Sequence, residues 1–497
     1  MLRAFSSGKK NTFLLLLIVY ILSHLVFRIC ISDSLEKDES ELILQFQEGF
    51  KLGYGAQPPL YNWLQFSFFN IFGLNVFSLV FLKNSLLFTI YYFLFKASSI
   101  VLENDYYAIF SSISLMLIYN FSWVMHKDLT HSVLLMALCS VSLYLFFKVF
   151  TENSKKYYIL FGVFLGLGIL SKYNYLLFAL SLLISGVMIK NIRRRIFNKN
   201  ALLILLFFLL VVSPHIFWCL GNTNSLFSDL GDFKIGDSQK YAFRFSGILL
   251  FLRNTFYFLG PLLFIYAFFF RKGFGKYTNK LSAKGDYKHL LEVFFVSAGL
   301  IILAAILFFD VRYIKERWLQ PILFLAPLYF FLRLDSKPSS RKVKIVFTSL
   351  IGLCAIGTLF SVWARIPMAS IRGRYNRLNY PFSNLSQSIK DEGFSQGLIL
   401  AEDNIIGANL KLAFNDSLVL SPLLNNQIVA DNSFNKILVI WEDESGNNFE
   451  PNGMGELFSR FNISVREKTP IDKKFLYKYS KSDYYKVKIL ILERNEV

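Results

Sequence analysis

Residues 13–63 read FLLLLIVYILSHLVFRICISDSLEKDESELILQFQEGFKLGYGAQPPLYNW: an apolar run, an acidic segment and then a Pro-Pro pair. The apolar run over 13–31 is about as long as a helix that crosses a bilayer, which takes ~20 residues. Carboxylates cluster directly after it. Tyr61 and Trp63 are amphipathic aromatic residues, a type enriched at headgroup level. The stretch therefore predicts a membrane helix that leads into an acidic loop at the bilayer surface.

The composition extends this interpretation to most of the chain. Of the 497 residues, 54% are hydrophobic and only 18% are charged. Helices satisfy their own backbone hydrogen bonds in hydrocarbon, so long apolar runs indicate transmembrane helices. We predict a polytopic α-helical membrane protein with about eleven transmembrane helices, over residues 11–31, 76–96, 106–124, 131–150, 157–171, 173–190, 201–219, 247–270, 289–308, 318–333 and 343–363.

The net charge of +19 reflects topology rather than nucleic-acid binding. Lys and Arg accumulate in short cytoplasmic loops, and here they gather before the first helix and in 190–199, 271–288 and 333–344. This pattern predicts a cytoplasmic N-terminus and outer loops at 32–75, 125–130, 220–246 and 309–317. A further arginine run predicts a tether to anionic headgroups: Arg365, Arg372, Arg374 and Arg377.

The last part of the chain has a different character. Polar residues and short apolar runs replace the long apolar blocks after residue 363. Such runs predict buried strands, here 398–400, 418–420, 437–441 and 487–492. We predict a membrane domain over 1–363 and a soluble, extracytoplasmic α/β domain over 364–497.

The acidic loop supplies the first candidate site. Asp38 and Glu39 are adjacent carboxylates beside the membrane, so they could act as a general base, bind a cation or cap the helix that begins near Ser40. After them, Pro58 and Pro59 fix the backbone and hold Gln57 and Tyr61 in a defined place. Simple re-entry into an interfacial helix explains the proline pair equally well.

Two further polar clusters lie in predicted outer loops. Asp128 and His131 belong to one, His126-Lys127-Asp128-Leu129-Thr130-His131, whose spacing fits no common metal motif. A patch facing a substrate or a plain interfacial loop explains it better. Lys172 and Tyr173 belong to the other, a polar knot between two apolar runs, where a lysine is costly unless it meets water, a partner or an anion.

A basic loop departs from the charge rule. Arg312, Lys315 and Arg317 lie in a segment that the topology places outside. Guanidinium groups bind phosphate through two parallel hydrogen bonds, so a lipid phosphate is a reasonable ligand for this loop. Pairing with Asp310 and Glu316, or snorkelling to headgroups, is the structural alternative.

Together these segments resemble the GT-C glycosyltransferases that use polyprenyl-phosphate sugars, a class with protein O-mannosyltransferases and aminoarabinose transferases. The resemblance covers roughly residues 10–335 and is closest to the lipopolysaccharide galacturonosyltransferases. Its carrying segments, in order, are Asp38-Glu39, Gln57-Pro58-Pro59-Leu60-Tyr61, Leu129-Thr130-His131, Ser171-Lys172-Tyr173-Asn174 and Arg317-Trp318-Leu319-Gln320-Pro321.

The resemblance implies an inverting transfer of a sugar from a polyprenyl-phosphate donor to an envelope acceptor at the outer face of the inner membrane. It implies that Asp38 is the catalytic carboxylate and that Lys172 and Arg317 contact the donor phosphate. Asp128 matches an acidic residue of the second outer loop, while Gln57 stands where relatives carry Lys or His.

The remaining expectations concern the partners. Lipid A or lipopolysaccharide core is the expected acceptor, with protein as the alternative. No cofactor is expected and a divalent metal is optional, since no Asp-x-Asp pair occurs at Asp38-Glu39. The four cysteines lie within or beside predicted spans and indicate neither disulfides nor zinc. A flippase for lipid-linked sugars is the rival from another class, and a non-enzymatic scaffold is a third.

Overall fold

The computed structural model describes residues 2–55, 57–196, 198–223, 246–270, 283–334, 340–422, 434–443, 453–461, 463 and 469–493. Most of the predicted outer loop 220–246 lies outside these residues.

Apolar helices make up most of the described chain. The long ones are α1 (Leu2–Ile31), α4 (Val76–Val101), α7 (Thr130–Glu152), α8 (Lys155–Ser171), α9 (Tyr175–Met188), α11 (Ala201–Gly221), α12 (Ser246–Phe270), α13 (Ala283–Phe309) and α16 (Arg341–Ala364). The shorter ones are α2 (Lys37–Phe46), α3 (Leu60–Phe72), α5 (Asp105–Ile113), α6 (Met125–Lys127), α10 (Lys190–Ile196), α14 (Gln320–Leu323), α15 (Ala326–Arg333), α17 (Ala369–Arg372), α18 (Phe382–Asp391), α19 (Asn404–Ala413) and α20 (Gly455–Arg460).

The predicted helical membrane fold is confirmed. Within the described residues, seven helices are long and apolar enough to cross a membrane, or nine if each of two bent pairs forms one span. Of the predicted spans outside this set, 157–171 corresponds to α8, which has 17 residues, and 318–333 corresponds to the short helices α14 and α15.

The span predicted over 106–124 is broken rather than straight. The helix that begins at Asp105 passes through a 3₁₀ turn at Ser114–Leu117 and a π-helical turn at Asn120–Val124. The two halves meet at an angle of 73°. The π-helical turn presents Asn120 to Gln320, whose Nε2 donates to Asn120 Oδ1 at 3.1 Å, so a polar contact accompanies the break.

Two glycines let helices α8 and α11 pack closely. A Cβ atom on Gly162 would lie 2.5 Å from the carbonyl oxygen of Ile204, and one on Gly166 would lie 2.7 Å from the Val211 side chain. Small residues four apart are a common device for close packing of membrane helices. Residues 155–188 form two helices, as predicted, which meet at Lys172-Tyr173-Asn174.

A five-stranded sheet forms the core of the tail, which confirms the predicted α/β region. Its strands are β1 (Leu398–Ala401), β2 (Leu418–Leu420), β3 (Lys436–Glu442), β4 (Ile471–Leu476) and β5 (Tyr484–Glu493), in the order β2-β1-β3-β5-β4. β2, β1 and β3 are parallel, while β5 runs antiparallel to β3 and β4. The buried central strands read as continuous apolar runs, as expected when both faces are covered.

The chain divides into two compact units. One comprises residues 1–23, 52–61 and 83–359 and holds most of the apolar helices. The other comprises 24–51, 62–82 and 360–497, so the acidic segment belongs with the tail.

Candidate active site

Two glutamates of the acidic segment are fixed by arginines. Arg28 Nη2 donates to Glu39 Oε2 at 2.8 Å, and both side chains are 4% exposed. Arg365 Nη2 donates to Glu36 Oε1 at 2.8 Å. The Glu36 backbone N–H also donates to Glu39 Oε2, at 2.9 Å. Arg365, predicted as a headgroup tether, is buried in this pair instead, because Glu36 supplies the counter-charge that its burial requires.

These pairs leave Asp38 as the partly exposed carboxylate in the first turn of α2. A negative charge is favourable there, since the N-terminus of a helix carries a partial positive charge. Burial raises the pKa of nearby Glu41, and the charge of Asp38 raises it further. Asp38 therefore lies on an acidic surface, next to residues that buried ion pairs hold in place.

The tail holds the acidic segment in place. α2 packs against α19. The Leu35 N–H donates to Asn409 Oδ1 at 3.1 Å, and Ser32 Oγ donates to the Leu378 carbonyl at 2.6 Å. At the far end of α2, the Gln47 side chain bonds the backbone of Val419 on the edge strand β2. The loop is thus ordered by contacts at both ends.

In the other unit, the Pro-Pro segment follows a tight turn. Tyr54 and Gln57 exchange backbone hydrogen bonds of 3.3 and 3.2 Å around Gly55, whose φ is +59°. The Gln57 side chain is exposed, whereas Tyr61 is fully buried. The Tyr61 ring lies 5.2 Å from the imidazole of His131, centroid to centroid. The structure therefore brings together Tyr61 and His131, which the sequence predicted separately.

A strained residue separates Asp128 from His131. Leu129 has a φ of +70° at the start of α7, a conformation that costs a bulky residue on the order of 1–3 kcal/mol and is concentrated at functional sites. Asp128 directly follows α6 and is partly exposed. The left-handed backbone at Leu129 separates Asp128 from α7, the helix that carries His131.

Lys172 connects two of the predicted clusters. Its Nζ donates to Ser132 Oγ at 2.9 Å, one residue after His131. Asn174 Nδ2 donates to the Trp318 carbonyl at 3.0 Å, one residue after Arg317. The segments that carry His131, Lys172 and Arg317 therefore converge.

Tyr173 makes a chain of contacts that sequence reasoning missed. His215 Nδ1 lies 2.6 Å from the Leu52 carbonyl, so it carries the proton, and Nε2 accepts from the Tyr173 hydroxyl at 2.9 Å. His215 also stacks on Trp218. A Cβ on Gly53 would lie 2.3 Å from the Trp218 ring. In the sequence, the one sign of a role for His215 is that it is a polar residue inside an apolar run.

The three cations of the basic loop have different surroundings. Arg312 forms a two-pronged pair with Asp310, with Nη2 to Oδ2 at 2.7 Å, which matches the structural alternative. Lys315 lies over the rings of Tyr313 and Trp318. Arg317 has a buried Nε that makes no hydrogen bond within the described residues. Such a donor calls for a partner beyond the described protein atoms, and a bound anion would supply one.

The loop that carries these cations is anchored through its backbone. Asn254 Nδ2 donates to the Ile314 carbonyl at 2.6 Å, and Ser246 Oγ donates to the Arg312 carbonyl at 3.0 Å. Just beyond Arg317, Leu319 lines an apolar cavity of about 590 Å³. Other walls of this cavity, called the lipid groove below, are Leu259, Leu263, Gly299 and Tyr329.

Comparison with known proteins identifies the family. Residues 56–218 match the family model described as dolichyl-phosphate-mannose-protein mannosyltransferase. The chain is 31% identical over 415 residues to the lipopolysaccharide core galacturonosyltransferase RgtA of Rhizobium johnstonii, which covers 82% of this chain and 81% of RgtA. The chain belongs to the GT-C glycosyltransferases. RgtB of the same organism, with the same description, is 27% identical over 472 residues, covering 93% of this transferase and 94% of RgtB.

A solved structure supports the fold of the transferase. The crystal structure of ArnT from Cupriavidus metallidurans bound to undecaprenyl phosphate matches with a TM-score of 0.61 and 11% identity, over 97% of this chain and 98% of ArnT. At this identity the match bears on the fold alone. Family membership makes the chain a glycosyltransferase and a multi-pass membrane protein, and it gives no support to a flippase.

The described residues contain no group of three His, Cys, Asp or Glu side chains that could hold a metal ion. The site roles predicted for Asp38, Glu39, Gln57, Tyr61, Asp128, His131, Lys172, Tyr173, Arg312, Lys315 and Arg317 stay predictions. The structure makes Glu39 and Arg312 weaker candidates for substrate contact, because Glu39 is buried in its pair with Arg28 and Arg312 is paired with Asp310.

Proposed function

We propose that this glycosyltransferase moves a sugar from a polyprenyl-phosphate donor to lipid A or the lipopolysaccharide core, with inversion at the anomeric carbon. Its relatives RgtA and RgtB are named as lipopolysaccharide core galacturonosyltransferases, which supports galacturonic acid as the sugar to test first. The observation that carries the donor class is the buried Nε of Arg317, which makes no hydrogen bond within the described residues and lies two residues before Leu319 in the wall of the lipid groove.

In this mechanism, Lys172 and Arg317 bind the donor phosphate, and the isoprenoid tail lies in the lipid groove. Asp38 accepts the proton of the acceptor hydroxyl, whose oxygen attacks the anomeric carbon. The bond from that carbon to the phosphate oxygen breaks, and polyprenyl phosphate leaves. General-base catalysis contributes about 10²–10⁴-fold. Fixed cations stabilise the negative charge that grows on the leaving phosphate.

The reaction runs, in this proposal, at the outer face of the cytoplasmic membrane. The charge distribution over 190–199, 271–288 and 333–344 supports this topology. A cysteine replacing exposed Lys481, in a chain without its four native cysteines, should then react with an impermeant maleimide in intact spheroplasts. Labelling only after lysis would instead place the tail in the cytoplasm and contradict the proposed topology.

We also propose that transfer requires no metal, since Lys172 and Arg317 supply the positive charge that a metal otherwise provides. Activity in EDTA should equal activity in Mg²⁺ or Mn²⁺. A loss in EDTA that either metal restores would contradict this part of the proposal.

A matched pair of arginine variants tests the donor role. The enzyme is reconstituted in liposomes with undecaprenyl-phosphate-linked galacturonic acid and a lipid A–core acceptor. Hydrogen bonds to charged groups are worth about 1.5–3 kcal/mol, so Arg317→Ala should lower kcat/KM for the donor roughly 10- to 100-fold, and Arg317→Lys should recover part of the loss. The guanidinium of Arg312 is already paired with Asp310, so in Arg312→Ala the kcat/KM for the donor should stay within about threefold of the wild-type value. Equal losses in both variants would remove Arg317 from the donor site.

A further inference from the structure

A second cavity lies between α1, α5 and α16 and shares no residue with the lipid groove. Its volume is about 810 Å³, and apolar side chains such as Leu16, Phe110 and Ile351 form most of its wall. The stretch of α1 that lines it runs from Gly8 to Ser23, about 22 Å at 1.5 Å per residue. One leaflet of hydrocarbon is roughly 15 Å deep. The cavity is therefore long enough for an extended acyl chain.

Small residues create this space. Gly8, Thr12 and Gly352 all line the cavity. A Cβ atom on Gly352 would meet no atom within 4 Å, so the opening is real space beside the helix rather than a tight helix contact. A larger side chain at Gly352 would enter the cavity without displacing backbone.

The mouth of the cavity is basic. Lys9 Nζ lies 4.3 Å from the centroid of the Tyr106 ring, and Lys344 Nζ lies 4.2 Å from the same centroid. The nearby carboxylate of Asp105 pairs with Lys10 at 3.1 Å. Three lysines against one aspartate leave a positive mouth. Tyr106, whose ring both lysines contact, is an aromatic type that favours the headgroup layer.

We propose that this cavity binds an anionic diacyl phospholipid, with its phosphate between Lys9 and Lys344 and an acyl chain along α1. Basic pockets between membrane helices on the cytoplasmic side are typical of anionic lipid sites. A zwitterionic lipid would bring its ammonium group against the two lysines. In the proposed function the polyprenyl donor binds two other cations, Lys172 and Arg317, neither of which lines this cavity.

One wall of the cavity contacts the segment that carries Asp128. Tyr20 lines the cavity, and its hydroxyl lies 3.1 Å from His126 Nε2, two residues before Asp128. A bound acyl chain would thus support the contact between α1 and the segment that carries Asp128.

Lipid retention by the full chain tests the proposal. The purified protein, stripped of lipid in detergent, is given phosphatidylglycerol, phosphatidylcholine, undecaprenyl phosphate or inorganic phosphate, and bound lipid is counted by native mass spectrometry. Wild type should retain phosphatidylglycerol and be stabilised against heat by it. Phosphatidylcholine and inorganic phosphate should do neither. Lys9→Gln and Lys344→Gln should each weaken binding roughly fivefold, as expected for one lysine at a charged membrane surface.

Controls on the same helix separate the site from general effects. Lys342→Gln removes an exposed lysine away from the cavity, and Gly357→Leu adds the same bulk in open space outside it. Both should retain phosphatidylglycerol like wild type, whereas Gly352→Leu should lose it while melting, without lipid, no lower than wild type. The proposal would be overturned if wild type retained phosphatidylcholine as well as phosphatidylglycerol, or if Lys342→Gln lost as much binding as Lys344→Gln. Retention of phosphatidylglycerol by Gly352→Leu would also overturn it, as would its displacement by undecaprenyl phosphate at equal concentration.

Discussion

Arg28 and Glu39 form an ion pair that is almost entirely removed from solvent, with 2.8 Å between Nη2 and Oε2. The same guanidinium donates to the carbonyls of Ser32 and Ser34, at 2.6 and 2.7 Å. One arginine therefore fixes both the end of α1 and the start of α2. From this geometry we infer a positioning role for Glu39, next to Asp38.

The first prediction concerns the stability of this pair. Glu39→Gln leaves the Arg28 charge buried without its counter-ion, which typically costs about 3–5 kcal/mol. We expect a clear drop in the thermal unfolding temperature, measured by intrinsic fluorescence in detergent. Asp38→Asn, which changes a partly exposed carboxylate, is the matched control and should shift the temperature little. A similar small shift in both variants would refute the positioning role of Glu39.

The second prediction separates the two candidate carboxylates by activity. Asp38→Asn should reduce sugar transfer by about 10²–10⁴-fold, because the amide cannot accept the proton of the acceptor. Asp128→Asn should retain most of the turnover number and affect mainly KM, since we assign Asp128 to substrate binding. Radiolabelled transfer in liposomes measures both. Full turnover in Asp38→Asn would exclude that residue as the base.

The third prediction concerns pH and a surface pair within the tail unit. Burial opposes ionisation of Asp33, but hydrogen bonds from Lys478 and Ser383 and the charge of Lys478 outweigh it, so the pKa of Asp33 falls below its ordinary value of 3.8. A lowered pKa in the folded state stabilises the protein above the unfolded value, and this stability is lost as the pH falls through the folded value.

Thermal unfolding across pH checks this sign. The difference between wild type and Asp33→Asn should be constant from about pH 5 to 7 and should shrink below about pH 4. The effect should be small, because the carboxylate is about half exposed. Lys478→Gln should show the same pH dependence. A difference that grows as the pH falls would contradict the assignment.

The apolar helices could be predicted from the sequence because their signal is local. Runs such as 201–219 and 247–270 correspond to α11 and α12, since about 20 apolar residues suffice to mark a span. The buried strands β1 to β3 and β5 were also predicted. β4 was not, since Asp472, Lys473 and Lys474 give it no apolar run and it lies at the edge of the sheet.

The partners of the charged residues could not be predicted. Glu36 pairs with Arg365, more than 300 positions away, and no local pattern encodes such a pair. The π-helical turn at Asn120–Val124 was missed because hydrophobicity alone does not distinguish a bent span from a straight one. The sequence also did not show that Arg312 pairs with Asp310, which is the reason that Arg317 is the better candidate for the donor phosphate.

The packing of α2 on α19 has a consequence for how the protein can be shortened. Asp38 stands on a helix whose supports include Arg365, Leu378, Asn409 and Val419. Truncation after residue 363 would remove every one of these supports while leaving the apolar helices of residues 1–363. The hydrophilic tail is therefore needed to hold α2, and with it Asp38, in place.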